Sequence, residues 1–116
     1  MPSLEVTLSK KLTEVQKKTL ADELTANVTL ITGKEQFMVM TMIRDDVYMQ
    51  MGDKVLENGA FVNLNCFGQA DPEENKAYAV RICQILGEQL GIAGKDIYMN
   101  LTERSWWATN GTVQSV

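Results

Sequence analysis

The stretch that decides the fold is the sequence MPSLEVTL at residues 1–8. Leu4, Val6 and Leu8 alternate with polar residues, and this period of two predicts a strand with one buried face. Pro2 suits the first position of such a strand, where no backbone N–H is needed for pairing. We expect the rest of the chain to be organised around this strand.

The residue after the initiator methionine has a chemical consequence. Met1 is usually removed when the next residue is small, which would leave Pro2 as a free secondary amine. Free α-amino groups have a pKa near about 7.7–8.0, and burial lowers that pKa because it disfavours the charged form. A neutral amine fixed at the start of a strand could act as a general base or a nucleophile. The alternative is that Met-Pro is only a common way for a chain to begin.

The composition is that of an ordinary soluble globular protein. The 116 residues are 45% hydrophobic and 22% charged, which predicts a single domain spanning residues 1–116. The net charge of −4 argues against a nucleic-acid binder or a membrane-surface protein. No apolar run approaches the ~20 residues that a membrane span needs, and no signal-peptide pattern is present. We expect a cytoplasmic protein, with non-classical secretion as the other route.

The chain contains no histidine, which removes whole classes of site. Ser-His-Asp and Cys-His nucleophilic sites are excluded, and so is the commonest zinc ligand. Cys66 and Cys83 form no CxxC motif, and the acids Asp45, Asp46 and Asp53 lack EF-hand spacing. We therefore expect no metal site. Acid–base chemistry must use a carboxylate, lysine, tyrosine, cysteine or the amino terminus.

The first half of the chain predicts strand, helix and strand. Thr13 with Gln16 three residues later is a capping box, so a helix begins here and runs to about Ile31. Gly33 supplies the helix stop. Residues 37–43, with the sequence FMVMTMI, are apolar on both faces and predict a central strand covered on both sides.

The second half predicts the same order of elements. Residues 60–67 read as a strand, and Asp71 followed by Pro72 predicts the start of a helix. That helix ends at Gly91, and residues 96–102 form the next strand.

The two halves match over about residues 2–43 and 61–102, which indicates an internal repeat of βαβ units. Two such units side by side predict an α/β fold with a four-stranded mixed sheet and two helices on one face. The other face is too apolar for a lone monomer, so we expect it to pack on another copy of the chain. An Asn-Gly pair at residues 110–111 predicts a hairpin in the tail.

At this point the motifs resemble those of the macrophage migration inhibitory factor family, within the tautomerase superfamily. The resemblance covers the whole chain and is carried by MP at 1–2, TGK at 32–34, NCFG at 65–68 and IYMN at 97–100. It implies a homotrimer whose sheets line a central barrel, with active sites at the subunit interfaces. It also implies cofactor-free keto–enol tautomerisation of phenylpyruvate-like 2-oxo acids.

The resemblance also implies roles for single residues. Pro2 matches the catalytic base, and Lys34 matches the cation that meets the substrate carboxylate. Phe67 matches the residue whose backbone N–H binds that carboxylate. Tyr98 and Asn100 match the pair that the adjacent subunit contributes. Enolisation needs a base near neutrality and a fixed positive partner for an anionic substrate, which agrees with these roles.

The chain departs from the family in two respects. The animal proteins carry a CxxC motif where this chain has only Cys66, so thiol–disulfide oxidoreductase activity is not expected. Phe37 stands where the mammalian form has a tyrosine at the pocket rim. Trp107 and Val113 are further candidates for that rim, in a tail that aligns poorly.

Other interpretations remain open. The trimer could be a signalling or binding protein with a vestigial pocket. It could also be a hydratase, decarboxylase or dehalogenase of the same superfamily, for which Arg44 and Arg104 are the candidate arginines. Taken singly, Lys34 is typical of a cation at a helix C-terminus, and Tyr98 and Asn100 are typical of ordinary interface residues.

Overall fold

The computed structural model describes residues 2–116, so the predicted removal of Met1 lies outside the described residues. The strands are β1 (Pro2–Leu8), β2 (Met40–Arg44), β3 (Gln50–Met51), β4 (Lys54–Val55), β5 (Ala60–Phe67), β6 (Ile97–Arg104), β7 (Trp106–Thr109) and β8 (Thr112–Ser115). The helices are α1 (Glu14–Ala26) and α2 (Pro72–Leu90), and short 3₁₀ turns cover Asn27–Leu30, Gln36–Met38 and Gly94–Asp96.

The main sheet has the strand order β2-β1-β5-β6. β1 runs parallel to β2 and antiparallel to β5, and β5 runs parallel to β6. Each parallel pair is joined through one helix, as expected for a βαβ unit. The predicted four-stranded mixed sheet with two helices is confirmed, and its first strand lies in the interior of the sheet.

The core lies between one face of the sheet and the two helices. The sheet supplies Leu4, Val6, Leu8, Val62 and Leu64, and the helices supply Leu20, Leu24, Tyr78, Ile82, Ile85 and Leu86. Burial of each of these large apolar side chains contributes about 1.5–3 kcal/mol. The alternation that predicted β1 is therefore the alternation of its buried and half-buried residues.

The helix starts follow the sequence signals, but the end of α1 does not. The Thr13 hydroxyl accepts from the Gln16 N–H, and the Gln16 side chain accepts from the Thr13 N–H, which is the predicted capping box. The predicted end near Ile31 is wrong, because α1 ends at Ala26. The chain then tightens into the 3₁₀ turn, which still buries Val28 and so continues the apolar stripe.

The prediction of a central strand at residues 37–43 is also wrong. The first part of that stretch forms the 3₁₀ turn Gln36–Met38, and the strand itself is β2, which lies at the edge of the sheet. Met40 is 65% exposed, because its face of the sheet points away from both helices. An apolar pattern shows that a strand is suited to burial, but it does not say whether the same chain supplies the cover.

The tail forms the predicted hairpin. β7 and β8 pair antiparallel around Asn110 and Gly111, whose φ values of 51° and 73° are those that a two-residue hairpin turn requires. Trp106 on this hairpin is 69% exposed. The tail is therefore a small sheet of its own that presents a large aromatic side chain to its surroundings.

We predict that Tyr78→Phe destabilises the protein by about 1–3 kcal/mol, the cost of leaving a buried acceptor without its donor. The Tyr78 side chain is fully buried, and its hydroxyl donates a 2.9 Å hydrogen bond to the Leu24 carbonyl. That carbonyl lies in the last turn of α1, where carbonyl groups lack partners within the helix. The free energy of unfolding can be measured by urea denaturation at a fixed protomer concentration.

The matched control is Tyr48→Phe, because the Tyr48 hydroxyl donates to the exposed Gln50 side chain. We expect this exposed change to stay within about 0.5 kcal/mol of the parent. Equal losses of stability in the two variants would contradict the structural role given to the Tyr78 hydroxyl.

Candidate active site

Pro2 lies at one end of the sheet, where β1 begins. It is buried and pairs with Cys66 in the antiparallel register between β1 and β5. The next residue along β5 is Phe67, the last residue of that strand. The start of β1 and the end of β5 therefore form one corner of the sheet.

Lys34 reaches the same corner from the helix side. Its Nζ donates a 2.9 Å hydrogen bond to the Phe67 carbonyl, and the side chain is partly buried. Gly33 precedes it with a φ of 83°, a value that glycine adopts without the steric penalty of a side chain. The structure therefore brings Pro2, Lys34 and Phe67 together, although they are far apart in the sequence.

The thiol beside Pro2 is kept protonated. Burial raises the pKa of the Cys66 thiol, and the positive charge of Lys34 acts in the opposite direction and is the weaker effect. Cys66 is therefore a small, uncharged side chain in this corner, and the thiolate that a nucleophile requires is disfavoured.

Tyr98 and Asn100 do not lie in this corner. Tyr98 pairs with Phe61, and Asn100 pairs with Asn63, in the parallel register between β5 and β6. Phe61 is five residues from Cys66, which corresponds to about 17 Å along the strand. One chain therefore holds Tyr98, which is 59% exposed, well away from Pro2.

The three candidate rim residues lie on peripheral elements. Phe37 is in a 3₁₀ turn, three residues after Lys34, and its side chain is 86% exposed. Trp107 is half-buried and Val113 is exposed, on the two strands of the tail hairpin. Phe37 is close in sequence to Lys34, and Trp107 follows three residues after Arg104, the last residue of β6.

The register separates Arg44 and Arg104, the two candidate arginines of the hydratase, decarboxylase or dehalogenase interpretation. Arg104 pairs with Phe67, and its carbonyl accepts a 2.9 Å hydrogen bond from the Gly68 N–H. It lines a cleft of about 510 Å³ formed by Gly68, Gln69, Glu103, Arg104, Ser105 and Val116. Arg44 instead pairs with Thr7 at the opposite end of β1, so only Arg104 lies near Pro2. The pairing of β5 with β6 was the missing information.

Residues 2–116 contain no group of three or more His, Cys, Asp or Glu side chains arranged to hold a metal ion. Over the same residues, neither helix is long and apolar enough to cross a membrane.

Comparison with known structures shows the same architecture. The chain superposes on the crystal structure of Leishmania major MIF2 with a TM-score of 0.88 and 23% identity, covering 97% of each chain. It also matches the crystal structure of Pt0534 inactivated by 2-oxo-3-pentynoate, with a TM-score of 0.79 and 14% identity over 88% of this chain and 85% of that one. These similarities establish the fold.

Sequence comparison identifies the family. The chain is 32% identical to the macrophage migration inhibitory factor of Xenopus laevis over 82 residues, which is 71% of this chain and 70% of that protein. The family model of macrophage migration inhibitory factor matches residues 1–115, from the proline corner through the tail hairpin. The chain therefore belongs to the macrophage migration inhibitory factor family, within the tautomerase superfamily.

Proposed function

We propose that the protein is a cofactor-independent keto–enol tautomerase for phenylpyruvate-like 2-oxo acids, with the Pro2 nitrogen as general base. The observation that carries the proposal is the 2.9 Å contact between Lys34 Nζ and the Phe67 carbonyl, one residue beyond the partner of Pro2. It supports a base and a cation at the same corner of the sheet. Pt0534, which shares the fold, was crystallised after inactivation by a 2-oxo compound, and this agrees with the proposed substrate class.

In this mechanism the Pro2 nitrogen removes a proton from the carbon next to the keto group of the substrate. The electron pair of that C–H bond forms the carbon–carbon double bond of the enol while the π pair of the carbonyl moves to its oxygen. The oxygen takes up a proton from water, and the protonated Pro2 amine returns its proton to water. No electrons leave the substrate, so the reaction needs no redox cofactor. Burial and the nearby positive charge of Lys34 both favour the uncharged form of the amine, which is the form that accepts a proton.

Two groups are proposed to bind the substrate carboxylate. Lys34 would exchange its hydrogen bond to the Phe67 carbonyl for one to the carboxylate, which is a stronger, charge-assisted acceptor. The Phe67 N–H is the second group. Because N–H groups alternate sides along a strand and the Gly68 N–H donates towards β6, the Phe67 N–H points towards the β1 side, where Pro2 lies.

The sheet face opposite the helices supports an assembly of several copies. Met40 and Met42 are both exposed on this face. Among residues 2–116, no group hydrogen-bonds the buried Oδ1 of Asn63. Exposed apolar surface and an unpaired buried oxygen are both unfavourable in a lone chain. We propose that three copies cover these faces in a homotrimer.

The distance between Pro2 and Tyr98 supports a shared site. A single chain holds them about five residues apart along the strands, so Tyr98 cannot touch a substrate held by its own Pro2. In the proposed trimer, Tyr98 and Asn100 of the adjacent subunit complete each pocket. Their hydroxyl and amide groups are suited to hold the substrate and the developing enolate oxygen.

The second candidate is a signalling or binding trimer with a vestigial pocket. The hydrogen bond from Lys34 to the Phe67 carbonyl is compatible with this function, because it satisfies one of the three donors of the ammonium without any ligand. The two functions differ in turnover: the tautomerase needs a high kcat/KM on a 2-oxo acid, and the vestigial site predicts weak turnover. Either function is compatible with the cytoplasmic location that we propose, where Cys66 and Cys83 stay as free thiols.

We predict that Pro2→Gly lowers kcat/KM for phenylpyruvate enolisation by about 10²–10⁴-fold, the usual contribution of a positioned base. Glycine is also small, so removal of Met1 is preserved, while the secondary amine of the proline ring is replaced by the primary amine of a more flexible residue. Enol formation can be followed by absorbance. Pro72→Ala is the control, because it replaces the other proline of the chain and leaves the amino-terminal nitrogen unchanged. Parent-level activity in Pro2→Gly would exclude Pro2 as the base.

We also predict complementation between two inactive variants if the sites are shared. Pro2→Gly lacks the proline amine, and a Tyr98→Phe/Asn100→Ala double variant lacks the groups that each subunit contributes to its neighbour in the proposed trimer. The two variants are mixed in equal amounts, unfolded together and refolded. About one quarter of the interfaces of a trimer then combine an intact Pro2 with an intact Tyr98 and Asn100. Activity should return to about that fraction of the parent, in a species that sediments as a trimer. Inactive mixed trimers, or a stable monomer, would contradict the shared site.

A further inference from the structure

The turn that carries Lys34 is attached to the second helix. The Thr32 N–H donates a 3.2 Å hydrogen bond to Glu74 Oε1, and the Thr32 hydroxyl donates a 2.6 Å hydrogen bond to Glu74 Oε2. Glu74 lies in the first turn of α2, 42 residues further along the chain. One carboxylate therefore holds both the backbone and the side chain of Thr32.

The same turn is fixed at its other end by the core. Ile31 is buried, and its carbonyl accepts a 3.1 Å hydrogen bond from the Lys34 N–H. Between these residues, Thr32 and Gly33 are exposed and have no apolar cover. The position of the Lys34 backbone therefore depends on the Ile31 contact from inside and on the Glu74 contact from outside.

We propose that Glu74 is a positioning residue for the carboxylate-binding role of Lys34, a statement that rests on the function proposed above. A lysine side chain is long and flexible, so its ammonium is well placed only when its backbone is fixed. The two hydrogen bonds from Thr32 remove freedom one residue before the glycine that leads into Lys34. Glu74 itself contacts neither Pro2 nor Phe67 in this proposal and acts through the turn.

A purely structural role for Glu74 makes a different prediction. Acidic residues in the first turn of a helix stabilise it through the helix dipole, and Glu73 shares that turn with Glu74. Glu73 donates its N–H to the Asp71 cap. If the dipole alone matters, loss of either carboxylate has the same effect. If positioning matters, the loss of Glu74 weakens binding and the loss of Glu73 does not. The weakening is then confined to ligands that carry a carboxylate.

The test measures binding of phenylglyoxylate, a 2-oxo acid with no carbon that can enolise, and of its uncharged methyl ester. The parent is compared with Glu74→Ala, Glu74→Gln and the matched control Glu73→Ala by titration calorimetry. We expect Glu74→Ala to raise the Kd of phenylglyoxylate by about 3–10-fold and to leave that of the ester within about twofold, because positioning acts on the ammonium–carboxylate contact. Glu74→Gln keeps one acceptor for Thr32 and should restore part of the loss, and Glu73→Ala should bind like the parent.

The outcomes separate this inference from the proposed function. The positioning role is overturned if Glu74→Ala weakens binding of the acid and the ester equally, or if Glu73→Ala and Glu74→Ala have equal effects. It is also overturned if the Kd of phenylglyoxylate is unchanged in Glu74→Ala, or if the parent does not bind phenylglyoxylate. If the expected pattern of Kd values is found but the parent does not enolise phenylpyruvate, the positioning role stands and the tautomerase function fails.

Discussion

The pairing of β1 with β5 is the constraint on which the rest of the structure depends. It runs from Pro2 opposite Cys66 to Leu8 opposite Ala60, and β2 pairs with β1 on its other side. Chain ends are usually poorly ordered unless they are tied down by pairing or docking. Here the first described residue is the end of an interior strand, so its nitrogen is held in place by the same ladder that builds the core. A fixed amine at that point is the physical basis of the proposed chemistry.

Much of the fold could be predicted because its signals are local. The alternation in β1, the Thr13 capping box and the Asn-Gly turn each depend on residues a few positions apart, and the structure contains all three. The order of strands is not local. The apolar stretch at residues 37–43 was therefore wrongly predicted as central, because its pattern does not distinguish cover by this chain from cover by another copy. The predicted end of α1 was wrong for a related reason, because the apolar stripe continues through the 3₁₀ turn after the helix.

In the candidate site, too, local motifs were readable from the sequence and long-range contacts were not. Lys34 and Phe67 were named through motifs, and the fold brings them to the corner that holds Pro2. The sequence named Arg104 only as one of two candidate arginines, and it did not indicate a role for Glu74. An arginine near the end of a strand and a glutamate in the first turn of a helix are both ordinary, and only the register of β6 and the contact with Thr32 give them a position near the site. Tyr98 and Asn100 lie away from Pro2 in one chain, and their role in the pocket rests on the proposed trimer.

The most direct test of Pro2 as the base compares molecules with and without Met1. A retained Met1 turns the Pro2 nitrogen into a tertiary amide, which has neither a basic lone pair nor an N–H. Intact-mass spectrometry gives the processed fraction of each preparation, and phenylpyruvate enolisation gives its activity. If Pro2 is the base, activity rises in proportion to the processed fraction, and fully retained protein is inactive. Turnover at the processed rate by protein that keeps Met1 would contradict the central claim.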